Sequence, residues 1–219
     1  MILPGPFTIP RLYPILDAGV LPTHPDARAA YLTRQSRELL DAGLTLLEYR
    51  NKSASDAEVF VDAQLLRSLL PAGRVRLVLD DRVDIALAAD FDGVHVDSGD
   101  LPPAVARRLL GSGSMVGTSA SSESALAEAL SQPVDYIAFG PIFPTTTKQT
   151  DVAPIGIDGV RRFRSLVGPG ATLVAAAGIT LETAPAILAA GASSVAVAAA
   201  IFRAPHPATE LQRWLISLA

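Results

Sequence analysis

Short apolar runs alternate with amphipathic segments along almost the whole chain, and this alternation restricts the possible folds more than any other feature. The runs are almost continuously apolar, which is typical of parallel strands covered on both faces. The segments between them show the spacing of one buried helical face, and several end at glycine, a common helix stop. The eight candidate strands are Arg11–Asp17, Leu44–Arg50, Val75–Asp81, Gly93–Val96, Ser114–Ser119, Tyr136–Gly140, Ala171–Gly178 and Ser193–Ala200.

The order of these elements predicts an α/β fold, a TIM (β/α)8 barrel forming a single domain over residues 1–219. Eight strands, seven helices between them and a last helix at Pro207–Leu218 match that barrel, and 219 residues suit a compact one. A doubly wound open sheet, with fewer strands and longer helices, is the alternative. The proline-rich residues 1–10 are predicted to form a surface strap. The clearest helical segments are Ala30–Gly43, Asp56–Leu70, Ser122–Leu130 and Leu181–Gly191.

The composition excludes several classes of function. The chain has no cysteine, which excludes disulfides and thiolate metal sites, and its three histidines are too scattered for a multi-histidine zinc site. A net charge of −4 argues against general nucleic-acid binding. No apolar run is long enough to span a bilayer, and the first residues lack the pattern of a secretory signal. We therefore expect a cytoplasmic protein with no membrane or nucleic-acid partner.

Polar residues or glycines that a core does not need follow nearly every candidate strand. In a parallel barrel these strand ends share the C-terminal rim, where the active sites of this fold lie. Residues that are distant in the sequence therefore become neighbours through the architecture alone. The rim residues are Arg50, Asn51, Lys52, Asp80, Asp81, Asp97, Ser98, Asp100, Thr118, Ser119, Thr145, Thr147, Lys148 and Gly178.

The charges on this rim predict a metal and a polyphosphate. Asp81 and Asp100 are carboxylates from neighbouring strand ends, and two carboxylates with room for water ligands suit Mg²⁺. Arg50, Lys52 and Lys148 are cations that suit the oxygens of a polyphosphate.

The loops after the seventh and eighth strands predict a second anion site. Residues 175–180 and the segment after Val195 occupy the positions that often hold phosphate in this fold. No cysteine or well-partnered histidine offers itself as a nucleophile. The sequence therefore favours a mechanism of positioning and charge stabilisation over covalent catalysis.

These motifs, in this order, resemble the thiamine-phosphate synthase family over most of the chain, from LYPILD to VAAAIF. LLEYRNKS is similar to the family's Gln-x-Arg-x-Lys element, and VGTSAS to its Gly-x-Ser turn. LVLDDRVDIALAADFDGVHVDSGDLP is similar to its Asn-Asp-Arg…Gly-Val-His…Asp-Leu region, and VAAAGIT to its terminal phosphate segment. GPIFPTTTK is the most specific of the matches.

The resemblance implies an enzyme that joins a hydroxymethylpyrimidine diphosphate to a thiazole phosphate, giving thiamine phosphate and pyrophosphate with Mg²⁺ as cofactor. It implies that Asp81 and Asp100 bind the metal. Arg50, Lys52 and Lys148 would hold the diphosphate, with Ser119 near the pyrimidine and the leaving group, and these four would be the catalytic residues. The residues implied for the thiazole phosphate are Thr145, Thr147, Gly178, Ala198 and Ala199.

Four positions depart from the family pattern. Glu48 stands where glutamine is usual and Asp80 where asparagine is usual, so both add negative charge to a site that binds anions. Either fits if it pairs with a cation or faces the pyrimidine amine, and Glu48 is interpreted as an amine acceptor or as a structural ion-pair partner of a rim cation. Ala177 replaces a glycine and fits only where φ is not positive, whereas Ala199 replaces a serine and keeps its backbone N–H.

The remaining expectations concern roles outside the proposed chemistry. Asp80 is expected to be a solvated or supporting residue, His95 a packed and hydrogen-bonded histidine, and Tyr13 and Asp17 structural residues. A thiazole tautomerase of the same superfamily is an alternative, disfavoured because Ser121 stands where that enzyme uses histidine. A non-catalytic protein that binds phosphate ligands is another. Small-molecule substrates are the expected partners, and a homo-oligomer is possible.

Overall fold

The computed structural model describes residues 8–145 and 151–219, and each predicted strand appears in it. The strands are β1 Leu12–Asp17, β2 Leu46–Arg50, β3 Arg76–Asp80, β4 Gly93–Val96, β5 Met115–Ala120, β6 Tyr136–Phe139, β7 Leu173–Ala176 and β8 Ser194–Val197. Each strand pairs in parallel with the next, and β1 closes the ring by pairing with β8. The closed ring confirms the TIM barrel and rules out the open doubly wound sheet.

Helices follow the strands and cover the outside of the barrel. They are α1 Pro25–Asp41, α2 Asp56–Leu69, α3 Val83–Ala88, α4 Pro103–Leu110, α5 Glu123–Leu130, α6 Gly156–Leu166, α7 Ala184–Ala189, α8 Ala199–Phe202 and α9 Pro207–Ser217. Within the described part of the chain, no helix has both the length and the apolar character needed to cross a membrane.

Several predicted boundaries differ from the observed ones, and two of these differences have identifiable reasons. The first helix begins at Pro25 rather than Ala30, because proline is well accommodated in the first turn, where its missing N–H has no intrahelical partner. The eighth strand was predicted to continue to Ala200, but it ends at Val197 and α8 begins at Ala199. A run of small residues gives no periodicity with which to separate strand from helix, and alanine strongly favours helix.

The strands alternate between two hydrophobic layers. Leu47, Tyr49 and their equivalents on other strands point outward and pack against the helices. Tyr13, Leu46, Val78 and their equivalents point inward and fill the barrel with a second cluster. Towards the C-terminal ends of the strands, the inward-facing positions become polar. On β2, for example, Glu48 and Arg50 lie on the same side as Leu46.

The N-terminal end of the barrel is closed from below. Ile9 is buried and belongs to the interior cluster with Tyr13 and Leu46. Residues 1–7 of the predicted strap lie outside the described residues. The open end of the barrel is therefore the C-terminal one, where the predicted site residues lie.

Candidate active site

A cavity of about 380 Å³ opens at the C-terminal mouth of the barrel. Its floor is formed by inward-facing strand residues and its wall by the loops that follow the strands. The apolar part of the lining comes from residues such as Ile15, Val174 and Ile179. Eight of the residues predicted to bind metal or substrate line this one cavity: Glu48, Arg50, Asp80, Ser119, Thr145, Gly178, Ala198 and Ala199.

Carboxylates hold Arg50, which lines the cavity, and Lys52, which lies beside it. Arg50 forms an ion pair with Asp17 and a second one with Asp80 at 3.3 Å. Lys52 lies 2.9 Å from Asp80 and also pairs with Asp81. The Asp80 side chain is only 4% exposed. Of the two roles expected for Asp80, the geometry therefore fits the supporting one and not the solvated one, since this buried carboxylate joins the two predicted diphosphate-binding cations.

The predicted metal ligands lie against each other beside this cluster. Burial raises the pKa of the Asp100 carboxyl, and the neighbouring Asp81 carboxyl raises it further, against a hydrogen bond from the Asp97 N–H. Asp81 Oδ1 is buried and has no hydrogen-bond partner within the part of the chain that the structure describes. Two adjacent carboxylates with an unsatisfied oxygen fit a divalent cation that takes oxygen ligands.

The described residues provide no cluster of three or more acidic or histidine side chains for a metal. A cation at Asp81 and Asp100 would therefore take its other ligands from water or from ligand oxygens. That coordination suits Mg²⁺, which keeps several waters and is commonly bound by one or two carboxylates together with substrate phosphates.

The opposite wall of the cavity is a tight backbone turn after β7. Ala177 and Gly178 have φ values of 74° and 69°, both in the left-handed region. A side chain at Gly178 would place its Cβ 2.6 Å from the backbone oxygens of Phe143 and Pro144, so that only glycine fits there. The condition that Ala177 avoids positive φ is not met, and this alanine adopts a conformation that favours glycine.

The turn faces the beginning of α8. Ala198 precedes that helix and Ala199 is its first residue, so their backbone N–H groups belong to the end whose amides have no intrahelical partners. Thr145, at the end of the described part of the sixth loop, lines the same cavity. Thr147 and Lys148 fall in residues 146–150, outside the described residues, and their roles remain predictions.

The floor of the cavity carries a hydrogen-bonded network that the sequence did not reveal as a unit. Tyr13 Oη lies 2.8 Å from Glu48 Oε2 and 2.6 Å from Tyr136 Oη. Tyr136 Oη lies 3.1 Å from His95 Nδ1. His95 Nε2 lies 2.9 Å from Ser119 Oγ, so the network runs across the barrel from β2 to β5.

The space for this network comes from a glycine on β5. A Cβ at Gly117 would lie 2.0 Å from Cζ of Tyr136, so any other residue would displace the tyrosine ring. Gly117 is paired with Tyr136 across the β5–β6 register, which places the missing side chain directly against the ring.

Electrostatics in the network follow from burial and from charge pairing. Burial raises the pKa of Glu48 to about 7, although the charge of His95 opposes the shift. Burial alone would lower the pKa of His95, but the Asp97 carboxylate and Glu48 outweigh it and raise the pKa to about 9. Burial raises the pKa of both Tyr13 and Tyr136 well above the ordinary value, so both remain neutral phenols.

These contacts decide between the interpretations left open for the acidic and aromatic residues. Glu48 lines the cavity and makes no ion pair with a cation among the described residues, so the ion-pair interpretation is not supported. His95 is buried and hydrogen-bonded, as expected. Tyr136 and Asp97 also line the cavity and were not assigned a role from the sequence. The position of Tyr136 among the inward-facing residues of β6 is the sequence signal that could have identified it as a cavity residue.

A closed barrel with acidic, cationic and glycine-turn elements around one mouth is typical of the phosphate-binding TIM-barrel enzymes. The family model described as thiamine monophosphate synthase, TMP-TENI, matches residues 18–201. The chain belongs to this family, and it is accordingly a transferase.

Named relatives agree with the family match. The chain is 43% identical to the thiamine-phosphate synthase of Koribacter versatilis over 90% of its own length and 92% of the relative. It is 40% identical to the thiamine-phosphate synthase of Chloroflexus aurantiacus over 89% and 86% of the two chains. The solved structure of thiamine phosphate pyrophosphorylase from Pyrococcus furiosus is similar with a TM-score of 0.80 and 29% identity, covering 95% of each chain.

Proposed function

We propose that this protein is a thiamine-phosphate synthase that condenses hydroxymethylpyrimidine diphosphate with thiazole phosphate, releasing pyrophosphate. The observation that carries the proposal is the division of one cavity into two walls suited to anions. One wall carries Arg50 and, beside it, the Asp81–Asp100 pair, and the other is the turn at Gly178 facing α8. The names of the relatives identify the reaction to which such a cavity is suited.

The cation-bearing wall is assigned to the diphosphate. Asp81 and Asp100 would hold Mg²⁺, which when bound would neutralise charge on the diphosphate and so favour its departure. Arg50 and Lys52 are fixed by Asp80 and would bind the remaining diphosphate oxygens, together with Lys148. Because Arg50 and Lys52 are already placed, little reorganisation of these two cations is needed as charge accumulates on the leaving group.

The facing wall is assigned to the thiazole phosphate. The backbone amides beside Gly178, Ala198 and Ala199 and the hydroxyls of Thr145 and Thr147 would bind its oxygens. Glu48 Oε1 is assigned to the exocyclic amine of the pyrimidine, since Oε2 is occupied by Tyr13.

The bond changes are those of a dissociative substitution. The bond between the pyrimidine methylene carbon and the diphosphate oxygen breaks, and its electron pair leaves with pyrophosphate. The aminopyrimidine ring donates electron density to the methylene carbon, and the neutral thiazole nitrogen then attacks that carbon and forms the new C–N bond. The nitrogen carries no proton, so no general base is required. The apolar lining formed by Ile15, Val174 and Ile179 limits the access of water, which would capture the same carbon.

The tautomerase alternative is weakened by the position of Ser121. This residue is exposed and lines a separate surface groove with Arg161 and Arg162 instead of the cavity at the mouth. No observation favours that reaction over condensation.

The test is to incubate the purified protein with both substrates and MgCl₂ and to measure thiamine phosphate and pyrophosphate together. We expect the two products to form in equal amounts and turnover to stop when EDTA removes the metal. Ligand binding without turnover would instead favour the non-catalytic alternative. Conversion of a thiazole isomer without pyrimidine diphosphate would favour the tautomerase.

A further inference from the structure

The hydroxyl of Ser119 has its hydrogen-bonding direction set by a neighbour from another strand. Ser119 is exposed to the mouth of the barrel, and its Oγ lies 2.9 Å from His95 Nε2. We propose that His95, held by Asp97, is a positioning residue that makes Ser119 a hydrogen-bond donor toward an anionic oxygen of the bound ligand. The identity of that ligand as a diphosphate rests on the proposed function.

The first step concerns the Nε2 side of the imidazole. Asp97 Oδ1 lies 3.3 Å from His95 Nε2. This contact is an ion pair and not a hydrogen bond, but a carboxylate at that distance repels a lone pair on Nε2 and attracts an N–H. Nε2 therefore carries the hydrogen, and Ser119 Oγ accepts from it.

The second step concerns Nδ1, on the other side of the imidazole ring. The hydrogen bonds made there do not change the conclusion that Nε2 carries a hydrogen. In one arrangement His95 is charged, and its Nδ1–H donates to Tyr136. The Tyr136 hydroxyl then donates to Tyr13, whose hydroxyl donates to the Glu48 carboxylate.

In the second arrangement the proton resides on Glu48 Oε2, and each donor along the chain is reversed. Glu48 donates to Tyr13, Tyr13 donates to Tyr136, and Tyr136 donates to a neutral His95 at Nδ1. Both arrangements satisfy the same distances, because each phenol donates once and accepts once. In both of them Nε2 keeps its hydrogen.

The third step follows the remaining hydrogen of Ser119. A hydroxyl that accepts from Nε2–H still has one hydrogen to donate. The contact with His95 is the one hydrogen bond that the Ser119 hydroxyl makes within the described residues, and the side chain faces the cavity. Arg50 lines the same cavity, and under the proposed function the ligand group that this donor meets is an oxygen of the diphosphate. A donor held in this way is preorganised for an anionic oxygen.

The test compares two replacements of His95 that remove the same ring and the same charge. In Gln the side-chain amide reaches the position of Nε2, so His95→Gln retains a donor to Ser119. In Asn the amide reaches the position of Nδ1, so His95→Asn contacts Tyr136 and leaves Ser119 without its donor. If His95 served only in packing, the two variants would weaken pyrophosphate binding about equally. The probe is inorganic pyrophosphate with MgCl₂, and its dissociation constant is measured by titration calorimetry.

We expect Ser119→Ala to weaken pyrophosphate binding roughly 10- to 100-fold, the usual effect of losing a hydrogen bond to a charged group. We expect His95→Asn to weaken it by about 10-fold and His95→Gln by less than about 3-fold. In a Ser119→Ala background, His95→Asn should add almost nothing, because its effect passes through the hydroxyl. Thermal unfolding of each variant verifies that the barrel is folded.

Equal losses in His95→Asn and His95→Gln, or full additivity with Ser119→Ala, would overturn the inference and leave the proposed function standing. A wild-type protein that binds pyrophosphate with this pattern but forms no thiamine phosphate would support the inference and remove the proposed function. A wild-type protein that does not bind pyrophosphate would overturn both.

Discussion

Asp81 combines a carboxylate at the cavity rim with a left-handed backbone, φ 67°. Asparagine tolerates that conformation and removes the charge, so Asp81→Asn tests the metal role without a change in backbone preference. We expect Asp81→Asn and Asp100→Asn each to raise the Mg²⁺ concentration for half-maximal turnover by at least about 10-fold, measured in steady-state assays across a magnesium titration.

Asp90 supplies the matched control for Asp81. It also has a positive φ, 54°, but it is exposed at the end of α3 and away from the cavity. Asp90→Asn should leave the magnesium dependence unchanged. If both rim variants also retained the wild-type magnesium dependence, Asp81 and Asp100 would not be the ligands.

Ala177 is a second residue with a backbone conformation that is unfavourable for its side chain. An L-residue at φ 74° is less stable than glycine by about 1–2 kcal/mol, whereas glycine loses more conformational entropy on folding. We expect Ala177→Gly to raise the free energy of unfolding by about 0.5–1 kcal/mol in a urea titration. Ala104→Gly, at an exposed position in α4, should lower it by about 0.5–1 kcal/mol. Destabilisation of both variants alike would contradict the assigned conformation.

The segment between β2 and α2 determines where Lys52 is held. Asn51 Oδ1 accepts hydrogen bonds from the N–H groups of Ser53 and Ala54, which closes a local turn around Lys52. Ser55 then begins α2 with a capping box, in which its hydroxyl and the Glu58 carboxylate satisfy each other's backbone N–H groups. This loop is therefore held by its own hydrogen bonds.

The contribution of the cap can be measured by removing it. Ser55→Ala leaves an N–H at the start of α2 without its partner, and we expect the free energy of unfolding to fall by about 1 kcal/mol. Ser165→Ala is the control, because among the described residues the hydroxyl of this exposed serine at the end of α6 bonds only to the carbonyl one turn earlier, and its effect should be within about 0.5 kcal/mol. Equal effects of the two substitutions in denaturant titrations would refute the cap.

Protonation inside the barrel links the stability of the fold to pH. The pKa of Glu48 is raised to about 7 from its ordinary value of 4.5, and the pKa of His95 is raised to about 9 from 6.5. In both cases the folded state binds the proton more tightly than the unfolded chain. Stability from Glu48 is therefore present below pH 4.5 and lost as pH rises to about 7, and stability from His95 is lost between about 6.5 and 9.

Glu48→Gln removes the first titration and weakens the second, because the charge of Glu48 contributes to the raised pKa of His95. We expect the wild type to lose roughly 1–3 kcal/mol more than Glu48→Gln between pH 5 and pH 8, as measured by urea unfolding at each pH. Parallel stability curves for the two proteins would show that Glu48 has an ordinary pKa in the fold.

The order of elements and the location of the site were predictable because they depend on local patterns. Alternating apolar runs and amphipathic segments predicted all eight strands, and the architecture then placed Arg50, Ser119 and Thr145 at one mouth. The end of β8 was not predictable in this way, since alanine-rich residues up to Ala200 fit either strand or helix. Periodicity distinguishes long patterned segments but not short uniform ones.

The network on the cavity floor depends on contacts between residues far apart in the chain. Tyr13 and Tyr136 are separated by 123 positions in the sequence, and their hydroxyls meet inside the closed barrel. Gly117 leaves the space that the aromatic ring of Tyr136 occupies. The alternation of residues along a strand predicts which face of the sheet a side chain lies on. It does not predict the distance to side chains on other strands.

The sequence by itself determined the barrel, its polar rim and the residue types available for metal and phosphate, because hydrophobic periodicity and strand ends are local properties. Only the tertiary structure decided that Asp80 is a buried anchor for two cations, that Ala177 has a positive φ and that Ser119 is joined to Glu48 through His95 and two tyrosines. Burial and pairing are properties of the neighbours that closure of the ring brings together, and no single segment encodes them.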